Sequence, residues 1–420
     1  MTQETLALHH GYEKNDFGTM AVPIYQTTAY DFGNAEKAAN LFALKELGPI
    51  YTRLNNPTTE VLEARIAAVE GGEAALATAS GQAAIFFALA NLAQAGDNII
   101  VARKIYGGTT TLVTHTFKRF GINAKFFDSD NADDLEKLID NKTKAIYFES
   151  LSNPQIAIPN TDKIVSIANK YDIVTVCDNT VATPILFKPL ERGVDVVVHS
   201  ASKYITGQGL AIGGLIITRN GLNEKLIGNK LYPHFNEPDE SYHGLVYADL
   251  PFPIFTLRAR LSLLRDLGAV PSPFNSWLFI QGIETLAIRM EKHSNNAYKV
   301  ARFLKDHPQV QSVSYPGLED DEQHDKAKEY FKNAQTSGLL SFIVKDFETA
   351  KKILNTTELF SVVVNIGDSK SIITHPASTT HQQLSEEELE AAGIHSGLIR
   401  LSIGLEDAND LIEDLKQAIG

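Results

Sequence analysis

The stretch VDVVVHSASKYITGQGLAIGGLII, residues 194–217, opens as a buried strand over Val194–Val198 and closes as a second apolar strand over Gly213–Ile217. Between the two lie His199, Ser200, Ser202, Lys203 and a run of glycines. Lysine ordinarily keeps its ammonium in solvent, most often on a helix face. A lone lysine at the end of a hydrophobic strand, between hydroxyls and flexible backbone, is placed for chemistry.

Working outward, short apolar runs recur at Ala74–Ala79, Asn98–Ala102, Ala124–Phe127, Ala145–Phe148, Ile173–Cys177, Val194–His199 and Gly214–Thr218. Helical patterns separate most of them, as at Ala83–Ala95, Asp133–Asp140 and Asp162–Lys170. β-branched strands alternating with helices predict an α/β fold, a mostly parallel sheet covered on both faces. Ligands of such sheets bind at the carboxyl ends of the strands. Residues 1–60 read as an irregular arm with a short helix over Ala35–Leu47. A helix follows over Thr58–Val69, ended by Gly71 and Gly72, which supply a left-handed cap. Residues 220–275 form a polar, proline-rich excursion, and a long helix over Trp277–His307 leads out of it. From Val310 the pattern becomes a smaller α/β unit of VQSVSYPG, GLLSFIVK, FSVVVNIG and LIRLSIGLE with a terminal helix. The expected division is therefore an arm (1–60), a large domain (61–275, with an insertion at 220–260) and a small C-terminal domain behind a linker helix (276–420).

With 38 basic and 51 acidic residues the chain carries a net charge of −13, which argues against a binder of nucleic-acid backbones and suits a small-molecule enzyme. One cysteine, Cys177, excludes an internal disulfide and a cysteine-rich metal site, and no metal is expected. MTQETLALHHGYEKND lacks the apolar core of a signal peptide and no run reaches the ~20 apolar residues of a membrane span, so the cytoplasm is the expected address.

Asp178 follows the strand IVTVC, 25 residues before Lys203. A carboxylate there reads as a helix cap or structural ion pair, or as a partner for a buried cation. If consecutive strands are neighbours, Asp178 and Lys203 face one crevice. TASGQAAIFFAL places Ser80, Gly81 and Gln82 before a helix, where backbone N–H groups and the helix dipole meet an anion. Ser200 and Ser202 add hydroxyls beside Lys203. Tyr106 of YGG is a core residue or a ring stacked on a ligand face. Acid, lysine and phosphate cup together are the parts that hold pyridoxal phosphate. A nucleotide-dependent oxidoreductase would need G-x-G-x-x-G opening a helix, whereas GQGLAIGG leads into a strand. A non-catalytic scaffold leaves Lys203 unexplained.

The segments SGQAAIFFALANL, YGGT, SNP, DNTVATP, HSASKYITGQG, SPFNSWLFIQGIETL, NIGDSKSIITHPASTTHQQL and LIRLSIGLED together resemble the Cys/Met-metabolism family of pyridoxal-phosphate enzymes, over nearly the whole chain. The family includes cystathionine γ-synthase, cystathionine lyases, methionine γ-lyase and O-acetylhomoserine sulfhydrylase. The resemblance implies the type I fold of aspartate-aminotransferase-like enzymes, pyridoxal 5'-phosphate as cofactor and a homotetramer of site-sharing dimers. FNEPDESYHGLVY, Asn365 of NIGD and Gly108 of YGGT favour the sulfhydrylase branch, which joins sulfide to O-acetyl-L-homoserine. By motif, Lys203 would carry the cofactor as a Schiff base, Asp178 would face the pyridine nitrogen and Tyr106 would stack on the ring. Ser80, Gly81, Gln82, Ser200 and Ser202 would hold the phosphate. YTRLNNPT implies that Tyr51 and Arg53 reach the phosphate of a neighbouring subunit. Arg400 and Asn153 would take the substrate carboxylate; an interstrand ion pair is the other reading of Arg400. Ser378 is a further substrate-pocket candidate, and His199 reads as structural.

Overall fold

The computed structural model describes residues 1–379 and 395–420, so the end of the NIGDSKSIITHPASTTHQQL segment, 380–384, lies outside the described residues. Seven strands make the larger sheet: β1 (Ala74–Thr78), β2 (Asn98–Ala102), β3 (Asn123–Phe127), β4 (Thr143–Glu149), β5 (Val174–Asp178), β6 (Val196–Ser200) and β7 (Gly214–Thr218). Their order is β1-β7-β6-β5-β4-β2-β3. β7 runs antiparallel to both neighbours and the other pairings are parallel, as the alternating apolar runs predicted. β5 and β6 are indeed adjacent, which brings their carboxyl ends, and the turn holding Lys203, to one edge.

The smaller sheet holds β8 (Val310–Ser314), β9 (Leu339–Val344), β10 (Ser361–Val362), β11 (Ile372–Thr374) and β12 (Leu398–Ser402), in the order β10-β11-β12-β9-β8. The expected strand FSVVVNIG shrinks to two paired residues; Val363 and Val364 stay exposed. β11 was not foreseen, because three residues carry no measurable period.

The expected helix Trp277–His307 is two, Pro273–Glu284 and Leu286–Lys305. The Gly282 carbonyl accepts a bond from Arg289 Nη2 at 2.7 Å and one from Thr285 Oγ1 at 3.5 Å, side-chain competitors for the backbone ladder at the break. Leu286 and Met290 pack into the core of the large sheet, while Ala297, Val300 and Leu304 pack into that of the small one. The cores therefore part inside this helix, the segment expected to link the large domain to the small one. The 220–260 excursion is anchored to the large core by Tyr232 and Tyr247, both fully buried.

The arm is less irregular than expected. A helix over Gln3–His9 lies against the helix Pro57–Glu70, and Gln3 Nε2 donates to the Val69 carbonyl at 3.0 Å. The second arm helix is shorter than expected, ending at Phe42. The expected helix 133–140 is one turn, Leu135–Leu138, and the one expected at Ala83 begins at Gly81. No helix among the described residues is long and apolar enough to cross a membrane.

Candidate active site

A cavity of about 280 Å³ opens at the carboxyl ends of β4, β5 and β6, with the small sheet forming its far wall. Ser80, Gly81, Gln82, Tyr106, Asn153, Asp178, Ser200, Ser202, Lys203 and Arg400 all line it.

At one end stands the N-terminus of the helix Gly81–Ala90. Ser80 has extended backbone and its Oγ accepts the Ala83 N–H at 3.1 Å, which makes it the cap. The N–H groups of Gly81 and Gln82 have no intrahelical partner and face outward as an anion site. Glycine at 81 is required by crowding: a Cβ there would lie 2.7 Å from Ser200 Cβ. Gly214 meets the same constraint, since its Cβ would lie 2.1 Å from the Ser80 carbonyl oxygen. β6 and β7 therefore press directly on the helix start. Ser200 is held by its N–H to Thr180 Oγ1 at 2.7 Å, and Ser202 Oγ accepts the Gly213 N–H at 3.0 Å.

Asp178 ends β5. Its Oδ1 accepts the Thr180 N–H at 2.9 Å and its Oδ2 the Tyr147 hydroxyl at 3.3 Å. Burial raises its carboxyl above the usual range, while the Thr180 bonds and nearby His199 pull it down. A cation placed against it would hold it ionised.

Lys203 Nζ donates to Asn365 Oδ1 at 2.5 Å. Burial, and then the neighbouring Arg400, bring the ammonium down from 10.5 to about 8. Arg400 sits mid-strand in β12 at 3 % exposure. Its Nη1 donates to Asn153 Oδ1 at 3.0 Å and its Nη2 to the Asn365 carbonyl at 2.9 Å. Its Nε has no partner, and no carboxylate pairs with it among the described residues. That disposes of the ion-pair reading: this is a buried guanidinium short of an anion.

Tyr106 stands half exposed at the start of the turn Gly107–Thr111. A Cβ at Gly108 would lie 2.5 Å from Tyr106 Cε1, so the bare glycine lets the ring lie close.

Tyr51 and Arg53, expected at a neighbouring subunit's phosphate, and Ser378, expected in the substrate pocket, do not line this cavity. Arg53 lies over the Tyr51 ring at 5.3 Å, and both are exposed away from their own chain's cavity. Ser378 is exposed in a turn, its Oγ 2.9 Å from His375 Nδ1. His199 bonds Glu70 at 3.0 Å with both side chains fully buried, a packing role.

Sequence reasoning missed Glu149, Thr180 and, as a site residue, Asn365, all of which line the cavity. Thr180 had a signal in the triplet DNT after β5. Asn365 stood out only as a branch marker; its contact with Lys203 spans 162 positions. Burial, then the charge of Asp178, pushes the Glu149 carboxyl well above its usual range.

The donor set fits pyridoxal phosphate. A helix N-terminus and two serines suit the phosphate, Asp178 the ring nitrogen, and a lysine of lowered basicity the aldehyde carbon.

The family model described as Cys/Met metabolism PLP-dependent enzyme matches residues 4–420. The O-acetyl-L-homoserine sulfhydrylase of Leptospira meyeri is 46% identical, covering 99% of this chain and 96% of that protein. The homocysteine/cysteine synthase of Saccharomyces cerevisiae is 43% identical, over 99% and 97%. Among solved structures, a Campylobacter jejuni protein described as an O-acetylhomoserine (thiol)-lyase, holding N'-pyridoxyl-lysine-5'-monophosphate, is 57% identical with a TM-score of 0.99, and each chain is covered to 100%.

Proposed function

Because this chain belongs to the Cys/Met-metabolism PLP-dependent enzymes, we propose that its cavity exchanges the acetoxy group of O-acetyl-L-homoserine for sulfide, giving L-homocysteine and acetate. The observation that carries this reading is Arg400, a buried guanidinium without a counter-anion, on the wall of the cavity that holds Lys203. Its planar fork suits the two oxygens of an α-carboxylate.

Bound pyridoxal phosphate supplies the electron sink for carbanions at Cα and, after proton transfer, at Cβ. The chain's own groups do the rest. Lys203, released from the cofactor by the incoming amino group, takes the Cα proton. With its amine brought down to about 8, far more of it is neutral near pH 7 than of an ordinary lysine, and it serves as base, then as acid on the return. Asn365 Oδ1 gives the freed Nζ an acceptor. Loss of a Cβ proton lets acetate leave from Cγ; sulfide adds there and the protons come back. Arg400 and Asn153 hold the carboxylate so that Cα stays within reach of Lys203. Tyr106 offers a flat face for the ring, and Asp178 keeps the ring nitrogen protonated. Gly81, Gln82, Ser200 and Ser202 anchor the phosphate.

We also infer a homo-oligomer that completes its sites across an interface. Tyr51 and Arg53 lie outside their own cavity, and the arm carries Phe17 at 90% and Met20 at 80% exposure, apolar surface of the kind that a second copy covers. The test of the reaction is a product assay. Holoprotein given O-acetyl-L-homoserine should form homocysteine chiefly with sulfide. Cystathionine formed preferentially from cysteine, or 2-oxobutanoate formed from methionine alone, would move the chain to another branch of the family.

A further inference from the structure

Glu149 closes β4 and pairs in register with Asp178 at the end of β5, so two carboxyls stand side by side at the edge of the cavity. Asp178 has its role above; Glu149 has none. It is buried, and no cation pairs with it among the described residues. Its oxygens are both used on backbone. Oε1 accepts the Tyr106 N–H at 2.7 Å and Oε2 accepts the Asn153 N–H at 3.3 Å. Tyr106 begins the short helix after β2, where no side chain caps the turn, and Asn153 lies beyond β4 with its amide oxygen on Arg400. One side chain thus joins the segment carrying the flat ring to the segment holding the carboxylate-binding arginine. Glutamine could not do this, since it has one acceptor oxygen and would turn an N–H₂ toward the other N–H. An apolar residue would leave both N–H groups without this partner.

We propose that Glu149 is a positioning residue, whose two carboxyl oxygens fix the Tyr106 backbone and the Asn153–Arg400 pair relative to each other. The inference rests on the pyridoxal-phosphate reading of the site.

The test compares wild-type holoprotein with Glu149→Gln by the visible circular dichroism of bound pyridoxal phosphate, by KM and kcat for O-acetyl-L-homoserine, and by the melting temperature of the apoprotein. The expected result is a retained fold with an altered cofactor band. KM should rise at least about tenfold and kcat/KM fall by about 100-fold, the scale set by small misplacements of reacting groups. A wild-type band and KM in Glu149→Gln would overturn the inference, whether or not the melting temperature moves. Should that variant fail to fold, Glu149→Asp takes its place. It keeps the carboxyl group but lacks the reach to span both N–H groups, and it is read by the same band and KM. A wild-type protein that takes up no pyridoxal phosphate would instead sink the underlying reading.

Discussion

Arg400 and Lys203 bring like charges into one cavity, and each alters what the other can do. The lysine comes down to about 8 through burial and the arginine's field, so its neutral form is present where an ordinary lysine near 10.5 is protonated. Covalent uptake of pyridoxal phosphate by the apoprotein needs the neutral amine. The uptake rate should therefore rise with pH through about 8 and level off above it; stopped-flow absorbance that keeps rising toward 10.5 would contradict this. Arg400→Lys keeps a cation but loses the fork. With hydrogen bonds to charged groups worth about 1.5–3 kcal/mol, KM for the amino-acid ester should rise about 10- to 100-fold while the cofactor spectrum stays intact. Much of this was legible in the residues, since Lys203, Asp178 and the SGQ turn each stand just past an apolar run. Glu149 was not. It binds backbone N–H groups of two separate loops, and a contact with backbone leaves no side-chain pattern to read.

At the scale of elements, the site depends on how closely the first helix after β1 meets β6. Gly81→Ala would drive a Cβ to 2.7 Å from Ser200 Cβ and force the Gly81 and Gln82 amides, proposed above to hold the phosphate, off the strand. A loss of cofactor affinity of about tenfold or more is expected, with the fold kept, measured by equilibrium dialysis of the apoprotein. The helix Leu286–Lys305 works from the other side. Buried Arg289 donates to the carbonyls of Tyr204 at 2.6 Å, Ile205 at 3.0 Å and Gly282 at 2.7 Å, holding the turn that carries Lys203. Arg289→Met would leave these acceptors unpaired at about 1–3 kcal/mol each, offset in part because a buried cation is also removed. The free energy of unfolding from urea titration should fall by a net of about 2 kcal/mol or more, with a lower midpoint; an unchanged midpoint would show that water or a neighbour replaces the guanidinium. The strands were readable because β-branched runs bounded by turn residues are long enough to show. The break at Thr285 was not, because it depends on Arg289 and Thr285 engaging the carbonyl of Gly282, whose missing side chain lets the helix pack on the Ile205 backbone, a long-range contact that a single glycine in the sequence does not announce.

For the molecule as a whole, the large and small cores meet along one helix, and the cavity lies where Arg400 of the small sheet faces Lys203 of the large one. The α/β architecture with its smaller C-terminal unit was visible in the alternation of runs. The place where the two cores part was not, since the helix Leu286–Lys305 is amphipathic throughout and its buried positions pass from the large core to the small one without a change of pattern. Tyr51 and Arg53 set the prediction at this scale. Lys203→Ala and Arg53→Ala should each be nearly inactive alone. Refolded together, they should regain activity, because a hybrid dimer joins an intact Lys203 with its partner's intact Arg53. No regain in verified hybrids would mean that Arg53 serves no neighbouring site.

The most direct measurement is the isotope content of the product. Holoprotein would turn over O-acetyl-L-homoserine and sulfide in deuterated water, and the homocysteine would be read by mass spectrometry and proton NMR. Proton removal at Cα by Lys203 followed by loss from Cβ predicts deuterium at both carbons. Homocysteine labelled at neither carbon would mean direct displacement of acetate by sulfide, and would contradict the account.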